Sequence, residues 1–145
     1  MGVLLRNDNV SYKTKDMETI KSVSDKRIIV PGTVNGREYY FLVDTGASIA
    51  LISEKVRGLD IGKRFCGSIE GAGGSIKARI CNTFVKIGGK DFSQFLATNL
   101  DNLIASIAEE TNVEIAGIIA LSQMKFYGVE IDTDDGIIKL KIHKQ

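Results

Sequence analysis

Between Arg27 and Leu96 the chain breaks three times at a pair of turn residues set between β-rich runs: Asn35-Gly36, Gly73-Gly74 and Gly88-Gly89. Such pairs tolerate the positive φ angles of two-residue turns, so each break specifies an antiparallel hairpin. The first joins Arg27–Val34 to Arg37–Val43 and delivers the chain to Asp44. A turn at Gly73-Gly74 sets Ala72 opposite Ser75, Glu70 opposite Lys77, Ser68 opposite Arg79 and Cys66 opposite Cys81. In that register Phe65, Ile69, Ile76, Ala78 and Ile80 gather on one face, and the polar residues and both cysteines on the other. A one-residue slip would mix the faces. The Glu70–Lys77 pair would add about 0.2–1 kcal/mol. The tip, Gly71-Ala72-Gly73-Gly74, is expected to be mobile. In the third hairpin, Thr83–Ile87 against Lys90–Leu96, Lys86 faces Asp91.

Helical signals are fewer. Asp101 is placed to cap a helix near 102–111 with Leu103, Ile104, Ile107 and Ala108 on one side, ending at Asn112. Leu121–Tyr127 reads as one or two turns stopped by Gly128. Val129–Ile131, an Asp-rich turn and Ile137–Ile142 close the chain. Residues 1–25 are polar and weakly periodic, an interface arm or tail, and residues 26–145 form one mostly β domain. Tyr39 and Tyr40 belong at or near its core.

Composition removes several chemistries. The one histidine, His143, stands three residues from the end, and a Ser-His-Asp or Cys-His enzyme needs a positioned imidazole. Two cysteines and that histidine do not make a zinc site, so no metal or cofactor is expected. Formal net charge is +1, which calls for neither nucleic acid nor an anionic membrane. No run approaches the roughly 20 apolar residues of a membrane span, and no signal peptide is legible, so a cytoplasmic protein is expected. In that setting free thiols are expected at Cys66 and Cys81.

What remains is carboxylates, hydroxyls and glycines, and they converge on residues 41–53, Phe-Leu-Val-Asp-Thr-Gly-Ala-Ser-Ile-Ala-Leu-Ile-Ser. An ionised aspartate after three apolar strand residues is costly unless it is paired or solvated. Taken alone, Asp-Thr-Gly is a turn whose carboxylate accepts local N–H groups. The thirteen-residue context points further. It resembles the retropepsin-like aspartic proteases, whose hallmark is an apolar strand entering Asp-Thr-Gly-Ala-Ser and then a second apolar stretch. The order of the rest is similar too: a hairpin before the motif, a Gly-rich hairpin after it, then a helix, an apolar-apolar-Gly segment, a short helix and a final hairpin. Gly117-Ile118-Ile119-Ala120-Leu121 occupies the late segment, with Ala120 where the family usually has glycine. The resemblance covers about residues 27–142.

The resemblance implies a closed acid-protease barrel forming one half of a two-fold dimer, with Asp44 as the catalytic carboxylate. Thr45 and Gly46 would support the site. Ala47, Ser48, Gly71, Ala72, Gly73, Gly74, Ile119 and Ala120 would bind a peptide or protein substrate, the glycine-rich hairpin acting as a flap. Two adjacent aspartates share a proton, so one serves as base on a water while the other polarises the scissile carbonyl. Only one such motif is present; Asp132-Thr133-Asp134 and Asp135-Gly136 read as a solvated turn. One motif in 145 residues requires a second copy of the chain, and Ile137–Ile142 is a candidate interface strand. The competing readings are a dimeric module of this fold that binds peptides without cleaving them, and phosphoryl transfer through an aspartate nucleophile. The latter would want a second aspartate at position 46, which is glycine.

Overall fold

A computed structural model describes residues 11–13, 17–71 and 74–141. Along them run β1 (Ser11–Lys13), β2 (Met17–Lys21), β3 (Ile29–Val34), β4 (Arg37–Asp44), β5 (Ala50–Ser53), β6 (Ile61–Gly71) and β7 (Gly74–Cys81). Then come β8 (Val85–Ile87), β9 (Lys90–Phe92), β10 (Phe95–Thr98), α1 (Asp101–Thr111), β11 (Gly117–Ala120), α2 (Leu121–Tyr127), β12 (Val129–Asp132) and β13 (Ile137–Lys141). The chain is mostly β with two helices, as expected. The nine-stranded sheet runs β6-β7-β10-β5-β11-β4-β3-β8-β9, and its ladder stays open between β6 and β9 among the described residues. A four-stranded sheet runs β1-β2-β13-β12.

The turn at Asn35-Gly36 forms as its residues require. Both have positive φ, 51° and 81°, and Val34 pairs with Arg37. The β3–β4 ladder then carries two cores, because alternate side chains face opposite ways. Val30, Phe41 and Val43 enter the main cluster with Phe95, Ile52 and Ile119. Ile29 and Leu42 enter a second cluster with Ile107 of α1 and Ile115, flanked by Tyr40, Leu103 and Ile104. Central strands buried on both faces read as unbroken apolar runs, and β11 (Gly-Ile-Ile-Ala) is buried throughout. Gly117 fits there because a Cβ would stand 2.5 Å from the Leu51 carbonyl oxygen.

Several expectations change. The β6–β7 hairpin closes at Gly71↔Gly74, with Glu70 opposite Ser75 and Ser68 opposite Lys77, two residues away from the expected register. The tip residues Ala72 and Gly73 fall outside the described residues. Irregularities between Ile61 and Gly67 shift the pairing again, so Cys81 faces Ile61 rather than Cys66. Both cysteines are free; Cys66 is exposed and Cys81 is buried. The same irregularities undo the expected sorting of faces, leaving Phe65 and Ile80 about half exposed while Ala78 is buried. Lys86 does face Asp91, 3.2 Å from Nζ to Oδ1, but that hairpin arm ends at Phe92. Gln94, at φ 69°, turns the chain so that β10 leaves to pair in parallel with β5.

Asp101 does not cap α1. The N-cap is Leu100, the Asn99 side chain accepts from the Asp101 N–H at 2.8 Å, and the Asp101 carboxylate pairs with Lys55 Nζ at 2.6 Å. An acid in the first turn still suits the helix dipole. Asn112 and Gly128 end their helices in left-handed conformations, at φ 63° and 69°, as expected. Finally, β13 is not an edge: β2 pairs along one side of it and β12 along the other. Ile142 lies outside the described residues. The undecided N-terminal segment thus contributes a strand, Met17–Lys21, with Ile20 buried in the main core.

Candidate active site

Strand β4 ends where its apolar alternation ends. Phe41, Leu42 and Val43 are buried, Asp44 is half-buried, and Thr45 and Gly46 are exposed. Partial exposure lets the carboxylate keep water on one side, which avoids most of the cost of burying a charge. The Gly46 N–H donates to Asp44 Oδ1 at 2.9 Å, and the Ala47 N–H donates to the Asp44 carbonyl at 3.1 Å. A Cβ on Gly46 would stand 3.3 Å from that same Oδ1, so the missing side chain gives the carboxylate its room.

The motif is braced from behind by β11, which runs parallel to β4 and pairs Ile119 with Val43 and Ala120 with Asp44. Ile119 and Ala120 are themselves buried. Past Ala120 the chain turns into α2, where the Leu121 N–H donates to the Ala47 carbonyl at 3.0 Å and Ser122 Oγ to the Ser48 carbonyl at 3.3 Å. Gln123, buried, accepts from the Ala120 N–H at 3.2 Å and donates from Nε2 to the Ser93 carbonyl at 2.6 Å. Tyr127 Oη lies 2.9 Å from Ser93 Oγ and accepts from the Ser93 N–H at 3.0 Å. The corner that holds Asp44 is therefore tied to the β9–β10 bend by two side chains of α2.

The structure thus brings Asp44, Thr45, Gly46, Ala47, Ser48, Ile119 and Ala120 together at one corner. Gly71 and Gly74 belong to the β6–β7 hairpin, which lies across β10, β5 and β11 from β4 in the sheet order.

One residue that the motif did not point to approaches the site. The β3–β4 ladder ends at Ile29↔Leu42 and the Val43 N–H donates to the Ile28 carbonyl at 2.9 Å, so Arg27 lies one residue beyond that bond on one side and Asp44 one residue beyond it on the other. Arg27 Nε donates to Glu110 Oε2 of α1 at 2.9 Å, and Lys26 Nζ donates to the Glu110 carbonyl at 3.2 Å. The Glu110 hydrogen bond and charge raise the Arg27 pKa, with a smaller push from the charge of Asp44. Arg27 in turn holds the Glu110 carboxyl below its ordinary value, mainly through the hydrogen bond. Ser22 anchors the loop that carries Arg27: its Oγ accepts from the Ile29 N–H at 2.9 Å and lies 2.8 Å from the Arg27 carbonyl. A cleft of about 810 Å³ opens beside this loop, lined by Lys21, Lys26, Arg27, Asn112, Asp134 and Asp135 among others, and does not include Asp44.

Among the described residues no group of His, Cys, Asp and Glu could hold a metal ion, and no helix is long and apolar enough to cross a membrane. A half-exposed carboxylate with one backbone donor is equipped to take a proton from water or to share one with a second acid. A family model described as aspartyl protease matches residues 30–123, from β3 through the motif and β11 to the first turn of α2. No curated protein matches the chain.

Proposed function

Because the chain belongs to the aspartyl protease family, of retropepsin type, we propose that it is an aspartic endopeptidase acting as a homodimer, with one Asp44 from each copy. The observation that carries this is the placement of the single Asp-Thr-Gly at the end of a buried strand, its carboxylate oriented by the Gly46 N–H. The chemistry needs two carboxylates within reach of one water, and each chain has one such motif. A two-fold axis between two Asp44 residues supplies the second. Exposed Ile49 and Leu121 flank the motif and give a second copy apolar surface to cover.

In the dimer, the two aspartates share a proton between them. The ionised one takes a proton from the water as it attacks the scissile carbonyl; the protonated one donates to the carbonyl oxygen. The tetrahedral intermediate then collapses with a proton delivered to the leaving amine. Thr45 and Gly46 hold the two loops close. Ala47, Ser48 and the Gly71–Gly74 tip face an extended peptide through backbone hydrogen bonds, while Ile119 and Ala120 support the motif from beneath without reaching the peptide.

Incubation with an unstructured protein tests this. The wild-type chain yields fragments, and D44N yields none while keeping its fold. Cleavage that survives D44N in a clean preparation puts the chemistry elsewhere. Peptide binding without cleavage by either protein favours the non-catalytic dimer. Sedimentation showing only monomer where cleavage occurs removes the shared site.

A further inference from the structure

Residues directly opposite on antiparallel strands project from the same face of the sheet. Ile29 and Leu42 therefore share the face on which α1 packs, and Arg27 reaches that helix through Glu110. Glu110, in the last turn of α1, meets Arg27 where that face runs out. The guanidinium is held by one contact, Nε to Glu110 Oε2, and its side chain is 48% exposed. A guanidinium carries five N–H donors in a planar fork, so one engaged donor leaves an edge able to take a second carboxylate in bidentate fashion. Lys26 adds a second cation at the same corner through its bond to the Glu110 carbonyl.

We propose that Arg27 is a specificity-determining residue of the proteolytic site, selecting peptides with an aspartate or glutamate side chain near the scissile bond. The inference rests on the endopeptidase reading. Three observations meet in it: Arg27 precedes Ile28, whose carbonyl takes the N–H of the residue before Asp44, Glu110 fixes its guanidinium, and in the single chain the side chain is about half exposed. Glu110 orients the fork and leaves its outer edge for substrate. A long, unpaired arginine at this place would lose more freedom on binding an acid than one already held. An exposed charge-assisted pair discriminates modestly, and the expected preference for glutamate over glutamine at the favoured position is roughly five- to tenfold in kcat/KM.

The experiment measures cleavage of paired peptides that differ only by Glu against Gln at each position around one scissile bond. The proteins are the full-length wild type, R27Q, R27K and D44N. The expected result is a glutamate preference in the wild type at one position, lost in R27Q, with glutamine-peptide turnover kept within about threefold. R27K, which keeps the charge without the fork, retains part of the preference. The effect appears in KM, as recognition of the ground state does. Asp44-dependent cleavage with no glutamate preference at any position overturns this inference and leaves the endopeptidase reading standing. So does an R27Q defect of equal size on both peptides. Failure to find any Asp44-dependent cleavage overturns both.

Discussion

Replacing Gly117 with alanine tests whether β11 sets the position of the Asp44 corner. The added methyl would stand 2.5 Å from the Leu51 carbonyl oxygen and 3.1 Å from the Phe41 ring. Neither neighbour has room. The Leu51 oxygen belongs to the backbone of β5, which pairs with β11 at Gly117↔Ile52 and Ile118↔Leu51. Phe41 is fully buried against Phe95. Overpacking of a closed core costs roughly 1–3 kcal/mol, and contact with a carbonyl that cannot rotate away puts this site near about 3. For a chain of this size each kcal/mol moves Tm by roughly 2–4 °C, so G117A should melt about 6–12 °C below the wild type. G62A is the control: its Cβ meets only the Ile80 carbonyl at 3.6 Å, an ordinary contact, and its Tm should stay within about 2 °C. Circular dichroism at one fixed protein concentration is the assay, since dimerisation makes Tm depend on concentration. Because Ala120 pairs with Asp44 three residues along the same strand, folded G117A should also cleave more slowly. Equal melting of G117A and wild type, or equal losses in both variants, would refute the argument.

The Arg27–Glu110 pair makes stability depend on pH in a defined direction. Glu110 is held below its unfolded-state value, so the stabilisation is present above the ordinary carboxylate range and is lost as pH falls through the lower folded value. E110Q should be less stable than wild type in urea at neutral pH, with a small difference because the pair is exposed, and that difference should shrink as pH falls through the lowered folded value; a gap that does not change with pH would contradict this. Burial raises the Cys81 thiol above its ordinary value, whereas Cys66 is exposed. A thiol reagent should therefore label Cys66 in native protein and reach Cys81 only in denaturant; two fast equivalents per chain would show the cores to be looser than described.

Local turn chemistry carried most of what could be read from residues alone. Asn35-Gly36 fixed its hairpin, Gly128 and Asn112 ended their helices, and Lys86 met Asp91. What failed was decided by partners distant in sequence. Four consecutive small residues at the β6–β7 tip allow more than one closure, and the register was settled instead by β7 pairing with β10, Cys81 to Phe95 and Arg79 to Ala97. Asp101 resembled a cap, but Asn99 bonded its N–H and Lys55 bonded its carboxylate. Met17–Lys21 shows little periodicity because Glu18, Thr19 and Ile20 are all buried, and its glutamate accepts from the Gly89 N–H at 2.8 Å. A polar strand in the core is invisible to a rule built on alternation.

The candidate site divides in the same way. Asp44 is legible because its chemistry stands out against Phe41-Leu42-Val43, but nothing in the composition near Arg27 marks that residue. Its place follows from counting. A two-residue turn centred on positions 35 and 36 pairs residues whose numbers sum to the same value, so Val34 with Arg37 requires Ile29 with Leu42, and the Val43–Ile28 bond leads outward to Asp44 and Arg27. Side-chain facing has a period of two, so one residue lost from the β3 arm would reverse the facing of Ile28 and Arg27 while leaving β4 as it is. Glu110 would then lose its partner, and the proposed acid-selecting edge would go with it, with Asp44 unmoved. On the proposed reading, recognition and catalysis would then depend on separate features of one hairpin: the carboxylate on where β4 ends, the cation on the chain that leads into β3.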